Sequence, residues 1–129
     1  MKNVDCVSFY VEDLDAGIAQ YTRGLGLKLL WRAQDSCGLG LPEDETEVVL
    51  VTRPIPQVQF RTDSVEDALP RLLEAGFTCR LSPFDIDIGR CAVFADAWGN
   101  DFCVLDMTKG NYTVDDKGNV TGVQKQIGS

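Results

Sequence analysis

VSFYVEDLDAGIAQYTRGLGLKLLWR, residues 7–32, and VQFRTDSVEDALPRLLEAGFTCRLS, residues 58–82, carry one pattern twice. At an offset of 51 residues Phe9 falls on Phe60, Glu12 on Asp63, Leu14 on Val65 and Ile18 on Leu69, and Gly26 meets Gly76 after a one-residue slip. Each copy opens with a short alternating strand and continues into an acidic stretch suited to the positive end of a helix dipole. Apolar residues then recur at helical spacing: Ile18 and Tyr21 in one copy, Ala68, Leu69, Leu72 and Leu73 in the other. Gly26 and Gly76 stand where a helix commonly ends on a left-handed residue. Pro70 is expected in the early turns of the second helix, where a missing amide proton costs least.

Outward from this pair, each helix precedes three strand-like segments. In the first copy these are LKLLWRA (27–33), CGLGL (37–41) and EVVLVT (47–52); in the second, FTCRLS (77–82), GRCAVFA (89–95) and DFCVLD (101–106). The turn PEDET (42–46) matches DAWGN (96–100), which makes Val49 and Cys103 equivalent. A repeated unit that cannot bury its own face alone implies two units sharing one core. The expected fold is α+β, two tandem βαβββ modules contributing to a mixed sheet. Repeat 1 covers about 4–53 and repeat 2 about 55–107, in one domain spanning 1–108. Residues 109–129 lie outside the repeat as a polar tail or a small hairpin around DKGN.

The remaining composition excludes several partner classes. Twenty acidic residues against twelve basic give a net charge of −8, which repels nucleic acid and anionic membranes. No apolar run approaches the ~20 residues that span a bilayer, and no signal-like segment opens the chain. Five cysteines, with no C-x-x-C pair and an odd count, fit reduced thiols and a cytoplasmic location.

Strand alternation sorts the first strand of each copy into two faces. Val7, Phe9 and Val11, and Val58, Phe60 and Thr62, face the helices. Cys6, Ser8 and Tyr10, and Gln57, Gln59 and Arg61, face the other way, where they either meet water or line a shared cleft with a few convergent polar groups. Trp31 is read as packing or pocket wall.

With its paired repeat, its opening CVSFYVEDLDAGIAQYTRGLGL and its closing FADAWGNDFCVLD, the chain resembles the vicinal oxygen chelate superfamily, which includes glyoxalase I, bleomycin-resistance proteins and extradiol dioxygenases. The resemblance covers roughly residues 4–107; Ala97 stands where the family usually has proline. It implies a cupped sheet, often completed by a partner chain, and in metal-using members one ligand on each of four cup strands. Those four positions correspond here to Cys6, Val49, Gln57 and Cys103. Valine cannot ligate, and histidine is absent from the whole chain, which removes the commonest transition-metal ligand and proton shuttle. No metal and no cofactor are expected. Glu47, Asp101 and Asp106 are acid–base candidates by proximity alone, and Cys6 and Cys103 are either packing thiols or thiols activated by Arg61. The expected function is metal-independent binding of a small organic molecule at Cys6, Ser8, Tyr10, Trp31, Val49, Gln57, Gln59, Arg61 and Cys103, in a homodimer. The alternatives are an enzyme of the superfamily (lyase, isomerase or dioxygenase) with an atypical site, and a regulatory module whose cup is closed by its own side chains.

Overall fold

A computed structural model describes residues 1–125. Module one runs β1 (Asn3–Tyr10), α1 (Leu14–Leu25), β2 (Lys28–Arg32), β3 (Ser36–Leu41) and β4 (Asp44–Val51). Module two runs β5 (Val58–Arg61), α2 (Val65–Glu74), β6 (Thr78–Ile86), β7 (Gly89–Ala95) and β8 (Asp101–Leu105). The eight strands make one mixed sheet in the order β2-β3-β4-β1-β5-β8-β7-β6. Each module contributes the same order read outward from the β1–β5 seam. The seam is antiparallel, while β1–β4 and β5–β8 are parallel. Ser8 opposes Val49 as Gln59 opposes Cys103, so the equivalence of Val49 and Cys103 holds at the level of register.

Local chemistry explains the helix ends. Asp13 caps α1 by accepting from the amide of Ala16 at 3.0 Å, and Ser64 caps α2 by accepting from that of Asp67 at 3.2 Å. Gly26 ends α1 in the left-handed region at φ 70°. Pro70 is the sixth residue of α2 and not in its first turn, so the helix omits one interior hydrogen bond, a cost the packing of its apolar face must offset.

Both helices cover one face of the sheet. Under α1, Leu14, Leu27, Cys37, Leu39 and Leu50 form a core with Ile18 and Tyr21 packed on it. Under α2, Val65, Ala92, Phe94 and Val104 do the same with Leu69, Leu72 and Phe102. Asp106, fully buried, accepts from the amides of Val65 and Arg90 at 2.9 Å each and from the Thr108 hydroxyl, tying the start of α2 to β7 and β8. It is therefore a structural anchor and not an acid of the cup.

The chain then forms a hairpin of β9 (Asn111–Val114) and β10 (Val120–Gln124). Its turn is held by Asp115, which accepts from the amides of Lys117 and Asn119 at 2.9 Å, with Gly118 at φ 85°. The hairpin folds back on module one: the Arg32 amide donates to the Gly118 carbonyl at 2.8 Å, and the rings of Trp31 and Tyr112 lie 5.2 Å apart. The last four positions of the tail, 126–129, lie outside the described residues.

Candidate functional site

The face of the sheet opposite the helices curves around a cavity of about 400 Å³. Both modules and the hairpin line it. Cys6, Trp31, Glu47, Val49 and Val51 come from module one, Gln59, Ile86, Ile88 and Leu105 from module two, and Asn111, Tyr112 and Val114 from β9. Val49, Val51, Ile55, Leu105 and Met107 make much of the wall apolar, as ligand pockets generally are.

A single through-space bond organises the module-one wall. Trp31 on β2 donates its indole N–H to Glu47 Oε1 on β4 at 2.6 Å, and β3 lies between those strands. The indole can cross β3 because Gly38, the residue paired with Trp31, has no side chain; a Cβ there would collide with both the indole and the Glu47 carboxylate. The unpatterned CGLGL segment is thus explained by close approach.

Two strand irregularities turn further residues inward. The β1–β5 register shifts between Val4 and Cys6, and the intervening Asp5 joins Cys6 in the cavity wall. A like shift between Leu29 and Trp31 brings Leu30 and Trp31 to the wall together. Burial pushes the carboxyl of Asp5 up, with Arg61 partly opposing it. Burial also pushes Glu47 up; the Trp31 hydrogen bond opposes the shift and the Asp5 charge adds to it. Burial raises the Tyr112 phenol to about 12, reinforced by Asp87.

Of the residues singled out from sequence, Cys6, Trp31, Glu47, Val49 and Gln59 meet in the cavity wall, whereas Asp101 is exposed at the start of β8. Ser8 is buried behind it and accepts from Gln59 Nε2 at 3.2 Å. Tyr10 lies at the far end of β1, 54% exposed. Gln57 precedes β5 and is exposed, because the strand begins at Val58. Arg61 lies in a second cleft with Lys2, Asp63, Met107 and Lys125, its guanidinium directed at the Met107 sulfur. Cys103 is buried in an apolar cluster with Cys91, Val93 and Leu105.

The thiols are not activated by Arg61. Cys6 is pushed up to about 12, first by burial and then by Asp5; Glu47 and Cys103 add to the rise, and only the contact with Ser8 opposes it. Cys91 and Cys103 act on one another: the contact and burial hold Cys91 high, while the same contact lowers Cys103 against burial, and Arg61 is a cause of neither shift. The four family ligand positions fit a metal no better: Gln57 is outside the strand, Val49 is apolar, and Cys103 is absent from the wall. In register, Glu47, Cys6, Gln59 and Cys103 form one row across β4, β1, β5 and β8. Yet Glu47 is held by Trp31 and the Gln59 amide by Ser8, and among the described residues no three of His, Cys, Asp and Glu converge on a metal position.

Sequence reading missed Asp5, because strict alternation assigns it to the helix face. A charge at that place among Val4 and Val7 was the available signal. Tyr112 and Val114 carried none, since their role depends on where the hairpin docks. Among the described residues no helix is long and apolar enough to cross a membrane.

The sequence model of the Glyoxalase/Bleomycin resistance protein/Dioxygenase superfamily matches residues 3–104. Among solved structures, the methylmalonyl-CoA epimerase from Mycobacterium tuberculosis is similar at 20% identity, covering 81% of this chain and 87% of its own, with a TM-score of 0.65. The Streptomyces coelicolor methylmalonyl-CoA epimerase (E43Q) in complex with 2-nitronate-propionyl-CoA is 14% identical over 82% of this chain and 97% of its own, at 0.68. An NAD-dependent benzaldehyde dehydrogenase from Legionella pneumophila is 14% identical over 79% and 97%, at 0.67. At these identities the likeness is one of fold. No curated protein matches the sequence.

Proposed function

Because the chain belongs to the Glyoxalase/Bleomycin resistance protein/Dioxygenase superfamily, we propose that it binds a small organic molecule in the cavity between its modules and does so without metal. The observation that carries this reading is the cavity itself: about 400 Å³, apolar over much of its wall, with polar groups at Asp5, Glu47 and Gln59 and a cover supplied by the chain's own hairpin. A cup filled by its own side chains would leave no such space, which disfavours a closed regulatory module. Five free cysteines fit a reducing, cytoplasmic setting. We further propose a homodimer, with Leu81 (54% exposed) and Phe84 (40%) on the edge strand β6 as its apolar contribution.

The test is a thermal-shift screen of organic compounds and divalent metals against the wild type and Val49→Trp, which fills the cavity floor. A compound at ~100 times its Kd stabilises by about 2.7 kcal/mol, a rise of roughly 10 °C for a domain of this size. The expected result is such a rise with an organic compound, lost in Val49→Trp. Stabilisation by metal alone overturns the reading. Analytical ultracentrifugation checks the dimer.

A second reading is favoured by one feature. Glu47 combines an inward position with a carboxyl raised toward working pH, as a proton-transfer group requires. In that reading the protein is an isomerase or lyase acting on a carbon acid, a class to which the structurally similar methylmalonyl-CoA epimerases belong. Solvent-deuterium incorporation into a panel of thioester and carbonyl carbon acids, abolished in Glu47→Gln, is its expected signature.

A further inference from the structure

The charge of the cavity wall selects among organic ligands. Three carboxylates line it, Asp5, Asp35 and Glu47, against one guanidinium, Arg53. Asp35 and Arg53 are exposed, whereas Asp5 and Glu47 lie deeper, and among the described residues neither of these two is in a salt bridge. Arg61 attracts Asp5 without pairing with it and is turned toward Met107. Beside the carboxylates stand the rings of Trp31 and Tyr112, tilted by 38° with centroids 5.2 Å apart, and beyond them the apolar wall of Val51, Ile55, Ile88 and Leu105.

We propose that the ligand is an amphipathic organic cation, an amine or quaternary ammonium with an apolar body, whose charged head meets Asp5 and Glu47 beside the ring of Trp31. The assignment rests on the small-molecule-binding reading above and narrows it to one chemical class. Burial disfavours both carboxylates in their charged forms, and their proximity adds repulsion. A positive head removes both penalties, because a partly desolvated charge is costly until it is paired. The face of an aromatic ring attracts a cation in addition, through the ring quadrupole. An anion of the same shape meets an acidic wall, and a neutral isostere leaves the carboxylates unpaired.

Indole N–H signals of 15N-labelled protein provide the readout. The chain has two tryptophans: Trp31 is bonded to Glu47, while Trp98, 85% exposed in the turn before β8, serves as an internal control. The probes are benzyltrimethylammonium, neutral neopentyl benzyl ether and anionic benzylphosphonate. The expected result is saturable movement of the Trp31 signal with benzyltrimethylammonium and at least tenfold weaker binding of the other two. Asp5→Asn and Glu47→Gln should each weaken the cation by about tenfold and leave the ether unchanged; preserved dispersion of the remaining amide signals confirms that the variants fold. If the ether or the phosphonate moves the Trp31 signal as well as the cation does, the cavity binds organic molecules and the cation assignment is overturned. If no probe moves it at millimolar concentration, the cation assignment is overturned alone, since the wider compound screen still decides whether the cavity binds anything.

Discussion

Gly38 decides the geometry of the site without contributing an atom to it. A methyl group there must displace the Trp31 indole or the Glu47 carboxylate, so Gly38→Ala should lose about 1–3 kcal/mol of stability by overpacking and shift the Trp31 indole N–H signal, both measurable by denaturation and NMR. Asp106 is a residue of the opposite kind, with many partners and no exposure. Asp106→Ala strands the buried amide of Val65 and the half-buried amide of Arg90 and should lose on the order of 3 kcal/mol, read as a lower urea midpoint at unchanged slope. The cysteines separate by burial. Cys79 alone is not buried, and Cys6 is buried with its thiolate disfavoured. Iodoacetamide at neutral pH should label Cys79 first and Cys6 more slowly than a model thiol; rapid labelling of Cys6 contradicts this account.

At the scale of elements, the hairpin β9–β10 is the least regular piece of the sequence and covers the site. It reaches module one through the Arg32–Gly118 hydrogen bond and the Trp31–Tyr112 contact. Tyr112→Ala should therefore lose about 1–3 kcal/mol and expose Trp31 to water, giving a red-shifted and more readily quenched fluorescence; an unchanged emission spectrum places the hairpin elsewhere in solution. The bulge at Asp5 is the second such device. One extra residue in β1 reverses the parity of everything before it, which is why Val4 faces its partner Phe60 across the seam while Asp5 and Cys6 share the cavity wall. Helix caps such as Asp13 and Ser64 are legible from sequence because cap and capped amide are three residues apart. A bulge is less so, because the charge at Asp5 marks that residue as out of keeping with Val4 and Val7 while the shift itself is set by pairing with the distant β5.

For the molecule as a whole, the two raised carboxyls set a direction for pH. Asp5 and Glu47 hold protons more tightly folded than unfolded, so the folded state binds more protons between the ordinary carboxylate range and their raised values. Their contribution to stability is fully present below that window and is lost as pH rises through it. Asp5→Asn should accordingly melt higher than the wild type at pH 8, with the difference shrinking as pH falls and gone below the ordinary aspartate pKa of about 3.9. The molecule's architecture was legible because the repeat is a whole-chain property: Phe9 on Phe60 and Gly26 on Gly76 require two like modules, and the observed sheet repeats the same strand order outward from their seam. The site was half legible. Cys6, Val49 and Gln59 follow from strand alternation, whereas Arg61 and Tyr10, on the same face by alternation, lie at strand ends and outside the cavity wall. Glu47, Asp5 and Tyr112 depend on register, a bulge and docking, all of which join residues far apart in the chain. The hairpin has one more consequence, in the currency of heredity. Strands β1 and β5 pair across the seam, so a substitution there touches both halves of the repeat at once. Tyr112 and Val114 belong to neither half, and substitutions there can remake one wall of the pocket while the inherited sheet stays as it was.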